Sequence, residues 1–124
     1  MKTLSIKQLD KKYEEIADAL IFLGMSKPAA RMLAFLQQMN EATSIELEMG
    51  TGLRQPEVSI AAKQLEEREW INEREEKKQG KGRPYKIYSL KAGFKDIITQ
   101  LEKQQKKAVA EVQGKIERLK ELGK

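Results

Sequence analysis

The stretch Ser44-Ile45-Glu46-Leu47-Glu48-Met49-Gly50-Thr51-Gly52-Leu53-Arg54-Gln55-Pro56-Glu57-Val58-Ser59-Ile60-Ala61-Ala62-Lys63-Gln64-Leu65 decides how this chain is organised. Ser44 is a competent helix N-cap, and Ile45, Leu47 and Met49 give the short helix after it apolar positions. Residues 50–53 break that helix. A second helix is predicted over 55–68, with Pro56 tolerated near its start and Val58, Ala61, Ala62 and Leu65 forming one apolar face. The reading is therefore two short helices around a tight glycine-containing turn.

Upstream, the spacing predicts two more helices. Leu9, Tyr13, Ile16, Ala17, Leu20 and Ile21 recur at helical intervals, and Lys11, Lys12, Glu14, Glu15 and Asp18 mostly fill the other side, so a helix is predicted over 7–23 with Gly24 ending it. Ser26 caps the next, which accepts Pro28 in its first turn and presents Ala30, Met32, Leu33, Phe35, Leu36 and Met39 as a broad apolar surface. Residues 40–43 read as a turn. Downstream, Trp70, Ile71, Tyr85 and Tyr88 mark extended segments at 70–76 and 84–90, and Gly80 and Gly82 punctuate the stretch between them, which predicts a β-hairpin. Past Leu90 helical spacing returns and runs to Leu122. At 1.5 Å per residue, roughly 30 residues make a rod of about 45 Å.

A chain of 124 residues accommodates one domain over 1–124, divided as an N-terminal helix (1–25), a core (26–90) and a C-terminal helix (91–124). Its apolar runs, such as Ala19 to Leu23 and Met32 to Leu36, fall far short of the roughly 20 residues a bilayer crossing needs. Met1-Lys2-Thr3-Leu4 lacks a signal-peptide core, so the expectation is a cytoplasmic protein with no membrane partner. The chain has no cysteine and no histidine. That removes disulfides, thiolate and imidazole metal sites, cysteine nucleophiles and histidine acid–base chemistry. No glycine-rich phosphate loop precedes a helix, so we expect no catalytic residues, no metal and no cofactor. A net charge of +5 makes an acidic partner, nucleic acid above all, a reasonable expectation.

Helix, glycine turn, helix and hairpin in that order is the arrangement of a winged helix-turn-helix, in which the second helix of the motif enters the major groove. The expected fold class is mostly α with a small β-hairpin wing, flanked by long N- and C-terminal helices. With Val58, Ala62 and Leu65 turned inward, Pro56, Ile60 and Lys63 face out, and Ile60 is an apolar residue well suited to a thymine methyl. Arg54, Gln55, Ser59, Lys63 and Gln64 supply groups for phosphates or base edges. Glu57 has two readings, acceptor from a cytosine amino group or partner of the positive helix N-terminus. On the hairpin, Lys77, Lys78, Lys81, Arg83 and Lys86 form a run of five cations uninterrupted by an acid, which suits phosphate contact.

Thr51-Gly52-Leu53, Pro56-Glu57-Val58-Ser59, Leu65-Glu66-Glu67-Arg68 and Gly82-Arg83-Pro84-Tyr85-Lys86-Ile87-Tyr88-Ser89-Leu90 together resemble the winged-helix regulators of the archaeal TrmB-like and MarR-like groups, over roughly residues 26 to 90. The resemblance implies dimeric operator binding, with the helix at 55–68 in the major groove and the wing at 77–86 on the backbone or minor groove. It departs from full TrmB proteins in leaving no room for a sugar-binding domain, and from ArsR-like metal sensors in lacking Cys and His.

In the last helix Phe94, Ile98, Leu101, Ala108, Val112, Leu119 and Leu122 alternate at spacings of four and three, with Gln105 and Lys115 completing an imperfect heptad seam, and Ile97, Val109 and Ile116 widen it. So much apolar surface on a thin rod calls for a second copy of the chain. The expectation is a sequence-specific transcription regulator, a repressor, that binds double-stranded DNA as a homodimer at a two-fold operator. A protein-interaction module on the same scaffold and a nonspecific architectural DNA binder are the competing readings. No charged or aromatic cluster marks an effector pocket.

Overall fold

Gly24 takes φ 106°, a region that costs other residues a steric penalty, and closes the first helix, α1 (Ile6–Phe22). Ser26 follows as N-cap of α2 (Lys27–Met39), its hydroxyl accepting from the Ala29 amide, with proline in the first turn. The remaining elements are β1 (Glu41–Thr43), α3 (Ser44–Thr51), α4 (Gln55–Glu67), β2 (Ile71–Glu76), β3 (Tyr85–Leu90) and α5 (Phe94–Leu122). These come from a computed structural model that describes residues 6–77 and 84–124. By contact the chain divides into two compact units, Met1–Gly93 and Phe94–Lys124.

The core of the first unit gathers on α2, whose Ala29, Ala30, Met32, Leu33, Ala34, Phe35 and Leu36 are all buried. Tyr13, Ala17 and Leu20 of α1, Leu47 of α3, and Val58, Ala61, Ala62 and Leu65 of α4 are buried too. Each large apolar side chain so removed from water contributes about 1.5–3 kcal/mol relative to an exposed one. Met39, at the end of the predicted apolar face of α2, is exposed instead. Trp70 is buried between α4 and β2, with the Arg68 guanidinium 4.6 Å from its ring centroid and its carbonyl accepting from the Lys91 and Ala92 amides.

Residues 40–43, expected to turn, instead hold strand β1. It adds to the hairpin to make a three-stranded antiparallel sheet of order β1-β3-β2, with Ala42 opposite Tyr88 and Glu73 opposite the same residue from the other side. The turn is confined to Asn40, at φ 72°. Three residues are too few for a period-two pattern, and only a neighbour distant in sequence, β3, gives them a ladder. The cap of α3 is Thr43, not Ser44: the Thr43 hydroxyl accepts from the Glu46 amide at 3.1 Å while the Glu46 carboxylate accepts from the Thr43 amide at 2.9 Å. This reciprocal box satisfies two free backbone donors, which Ser44 cannot do one residue later. The helix also runs through Gly50 and ends at Gly52, the residue with φ 78°. Gly50 serves packing, because the Phe35 ring lies where its side chain would be.

In α5, Ile97 and Leu101 are buried, whereas Ile98, Val109, Val112, Ile116, Leu119 and Leu122 are exposed. Among the described residues no helix is long and apolar enough to cross a membrane.

Candidate nucleic-acid interface

The orientation of α4 follows from its inward face. With Val58, Ala61, Ala62 and Leu65 packed in the core, Gln55, Pro56, Glu57, Ser59, Ile60, Lys63, Gln64 and Glu67 stand in solvent. Ile60 is 57% exposed in the middle of this otherwise polar surface. Arg54 is exposed immediately before the helix. The face therefore offers a guanidinium, an ammonium, amides, a hydroxyl and one aliphatic group, a set able to meet phosphates, base edges and a methyl group.

Two of these side chains already have partners within the chain. The Glu57 carboxylate accepts from the Arg54 amide at 2.9 Å, which sets a negative charge on the helix N-terminus, the second of its two sequence readings. The Gln64 side-chain oxygen accepts from the Ser26 hydroxyl at 2.9 Å and ties the C-terminal half of α4 to the start of α2. Gln64 and Ser26 also line a half-open cleft of about 380 Å³ with Gly24, Met25, Arg68 and Glu67.

On the hairpin, Lys77 and Lys86 are exposed, while Lys78, Lys81 and Arg83 lie outside the described residues. Lys86 is held by Glu73 across the β2–β3 pair at 3.4 Å. Arg74, the cation of β2, is engaged by Glu41 at 3.2 Å and Glu76 at 3.4 Å, and the Tyr85 hydroxyl donates to Glu76 at 3.3 Å.

An acidic element beside these cations escaped the sequence reading. Glu66, near the end of α4, is influenced by the Glu73 carboxyl of β2, and Lys86 and Lys63 are the nearby cations. Partial burial, and then the Glu73 carboxyl, raise the pKa of Glu66 above the ordinary carboxylate value. Tyr88, opposite Glu73, is pushed up to about 12, first by burial and then by the charges of Glu73 and Glu66. No sequence signal said that Glu66 of α4 would feel the charge of Glu73 on β2. Among the described residues no group of three His, Cys, Asp or Glu side chains converges to hold a metal ion.

The inward turn of α4, its exposed outer face and the adjoining antiparallel hairpin make up the winged helix-turn-helix expected from the order of elements. Residues 23–82 match the model of the MarR family. The fold is a winged helix similar to that of the MarR family. Among solved structures, one described as a transcriptional regulator is 18% identical, with 86% of this chain and 69% of that one aligned at a TM-score of 0.57. NadR in complex with 4-hydroxyphenylacetate is 16% identical, with 98% of this chain and 94% of that one aligned at 0.51. At these identities the likeness is one of fold. No curated protein sequence matches the chain.

Proposed function

We propose that this MarR-type chain is a non-enzymatic, sequence-specific DNA-binding regulator that acts as a homodimer and represses transcription at a two-fold operator. The observation that carries the reading is the outer face of α4, where Ile60 stands exposed among Arg54, Gln55, Ser59 and Lys63 beside the basic hairpin. In a winged helix this helix enters the major groove, and phosphate contacts from Lys77, Lys78, Lys81, Arg83 and Lys86 fix its register. The exposed stripe on α5 supplies the dimer surface, and a two-fold pair of recognition helices reads two half-sites about one turn of DNA apart.

Selection of bound fragments from genomic DNA, followed by affinity measurements at two salt concentrations, tests the reading. The expected result is a recurrent, roughly symmetric site whose affinity falls steeply with salt. Equal affinity for that site and for random DNA would reduce the protein to a nonspecific binder. A second reading, a protein-interaction module, draws on Ile45 and Met49 of α3, which are 63% and 82% exposed. It gains if replacing Lys77, Lys78, Lys81 and Arg83 with Ala leaves DNA affinity and its salt slope unchanged.

A further inference from the structure

Arg31 interrupts the apolar run Ala29-Ala30-Arg31-Met32-Leu33-Ala34-Phe35-Leu36 on α2, whose other members are all buried. Its side chain is partly buried, and among the described residues it forms no ion pair. The guanidinium donates instead to the carbonyl of Thr51, the last residue of α3, at 3.2 Å. A carbonyl at a helix C-terminus carries the negative end of the dipole, and a charged donor there makes a stronger bond than a neutral one.

The junction that this bond grips is otherwise braced from within. The Gly52 amide donates to the Glu48 carbonyl at 2.9 Å, the Leu53 amide to the Thr51 hydroxyl at 3.1 Å, and the Arg54 amide to the Glu57 carboxylate at 2.9 Å. The Thr51 hydroxyl in turn donates to the Leu47 carbonyl. The end of α3, residues 52–54 and the first turn of α4 are thus one locally bonded unit, and Arg31 ties that unit to α2. Apolar packing of α4 on the core has no direction of its own, whereas recognition needs side chains held within about 0.5 Å. Thr51 lies just ahead of Arg54 and Gln55, where the outer face of α4 begins.

We propose that Arg31 is a positioning residue for sequence recognition, whose bond from α2 to the Thr51 carbonyl sets the orientation of α4 and so governs operator discrimination without touching DNA. The inference rests on the DNA-binding function proposed above. Phosphate contacts from the hairpin act through charge and tolerate a shifted helix, while base contacts by Gln55, Ser59 and Ile60 do not. Loss of the bond therefore falls on operator affinity and spares nonspecific affinity.

Arg31→Met keeps the apolar stem and removes both donor and charge. Its affinities for the selected operator fragment and for a random-sequence duplex of equal length, each at two salt concentrations, test the role. Operator affinity is expected to fall about tenfold, the size of one impaired base contact, with random-duplex affinity within about twofold of the wild type and its salt slope unchanged. Arg31→Lys, which keeps the charge and a donor, should hold operator affinity within about threefold, because the bond is a single one rather than a bidentate fork. A merely structural arginine would lower the melting temperature of Arg31→Met and leave the operator-to-random ratio of the folded protein unmoved. An unmoved ratio in a wild type that discriminates overturns the positioning role alone, as does Arg31→Lys falling as far as Arg31→Met. A parallel fall in both affinities, with a salt slope smaller by about one, overturns it in favour of a direct phosphate contact. Arg31→Gln, with a neutral donor on a shorter arm, is read by the same ratio should Arg31→Met fail to fold. A wild type with equal affinity for every duplex overturns the proposed function and the positioning role with it.

Discussion

A methyl group added at Gly50 would overlap the Phe35 ring, itself buried in the core, and neither α3 nor α2 can yield without disturbing other packing. Gly50→Ala is therefore expected to destabilise the fold by roughly 1–3 kcal/mol in urea denaturation, even though alanine is the better helix former. Tyr13 argues the opposite way. Its hydroxyl is buried and has no hydrogen-bond partner among the described residues, so Tyr13→Phe should be neutral or stabilising by up to about 1 kcal/mol. Burial first, opposed by Arg31 and reinforced by Glu14, pushes the Tyr13 phenol up to about 12, and Tyr88 sits equally high. Both folded values lie above the ordinary phenol value of 10, so the folded state holds more protons in that interval. Stability is intact below pH 10 and falls as pH rises toward 12. Melting temperature followed across this range checks the sign, and Tyr13→Phe should lessen the fall. The sequence placed Tyr13 on the apolar side of α1 and Gly50 near the end of α3, but it named neither the orphan hydroxyl nor the ring behind the glycine, which are matters of tertiary fit.

At the scale of elements, α4 separates structural positions from recognition positions along a single helix. Val58 and Leu65 anchor it, and truncating either leaves a cavity that costs stability before it touches recognition. Ile60 and Gln55 lie on the outer side, so Ile60→Ala and Gln55→Ala are expected to change stability by no more than about 0.5 kcal/mol. Under the proposed function their effect falls on base preference, at about 1–3 kcal/mol for the bases they contact. Repeating the fragment selection with each variant checks this, and an unchanged site would remove both residues from the reading surface. The inward and outward sides of α4 were legible because helical periodicity alone sorts them. Strand β1 was not, since its three residues acquire their role from pairing with β3, more than forty positions away. The partners of Glu57 and Gln64 were equally hidden, one at the helix N-terminus and the other on α2.

At the scale of the whole molecule, the question is what covers α5. Val109, Val112, Ile116 and Leu119 follow a three-four-three spacing and are all exposed, which is the pattern of a helix awaiting a partner helix. If a second copy provides it, Val112→Asp combined with Ile116→Asp should convert a dimer to a monomer in sedimentation analysis. Operator affinity should then drop by about a hundredfold or more as the linked second half-site is lost. A wild-type chain that sediments as a monomer would remove the dimer from the proposal. The sequence by itself determined the helices, the hairpin, the inward face of α4 and the exposed α5 stripe, because periodicity, caps and glycines act through neighbours a few residues apart. Only the tertiary structure decided the third strand, the ring behind Gly50 and the hydrogen bond from Ser26 to Gln64. Each of these joins groups far apart in the chain, and a one-dimensional pattern carries no record of such distances.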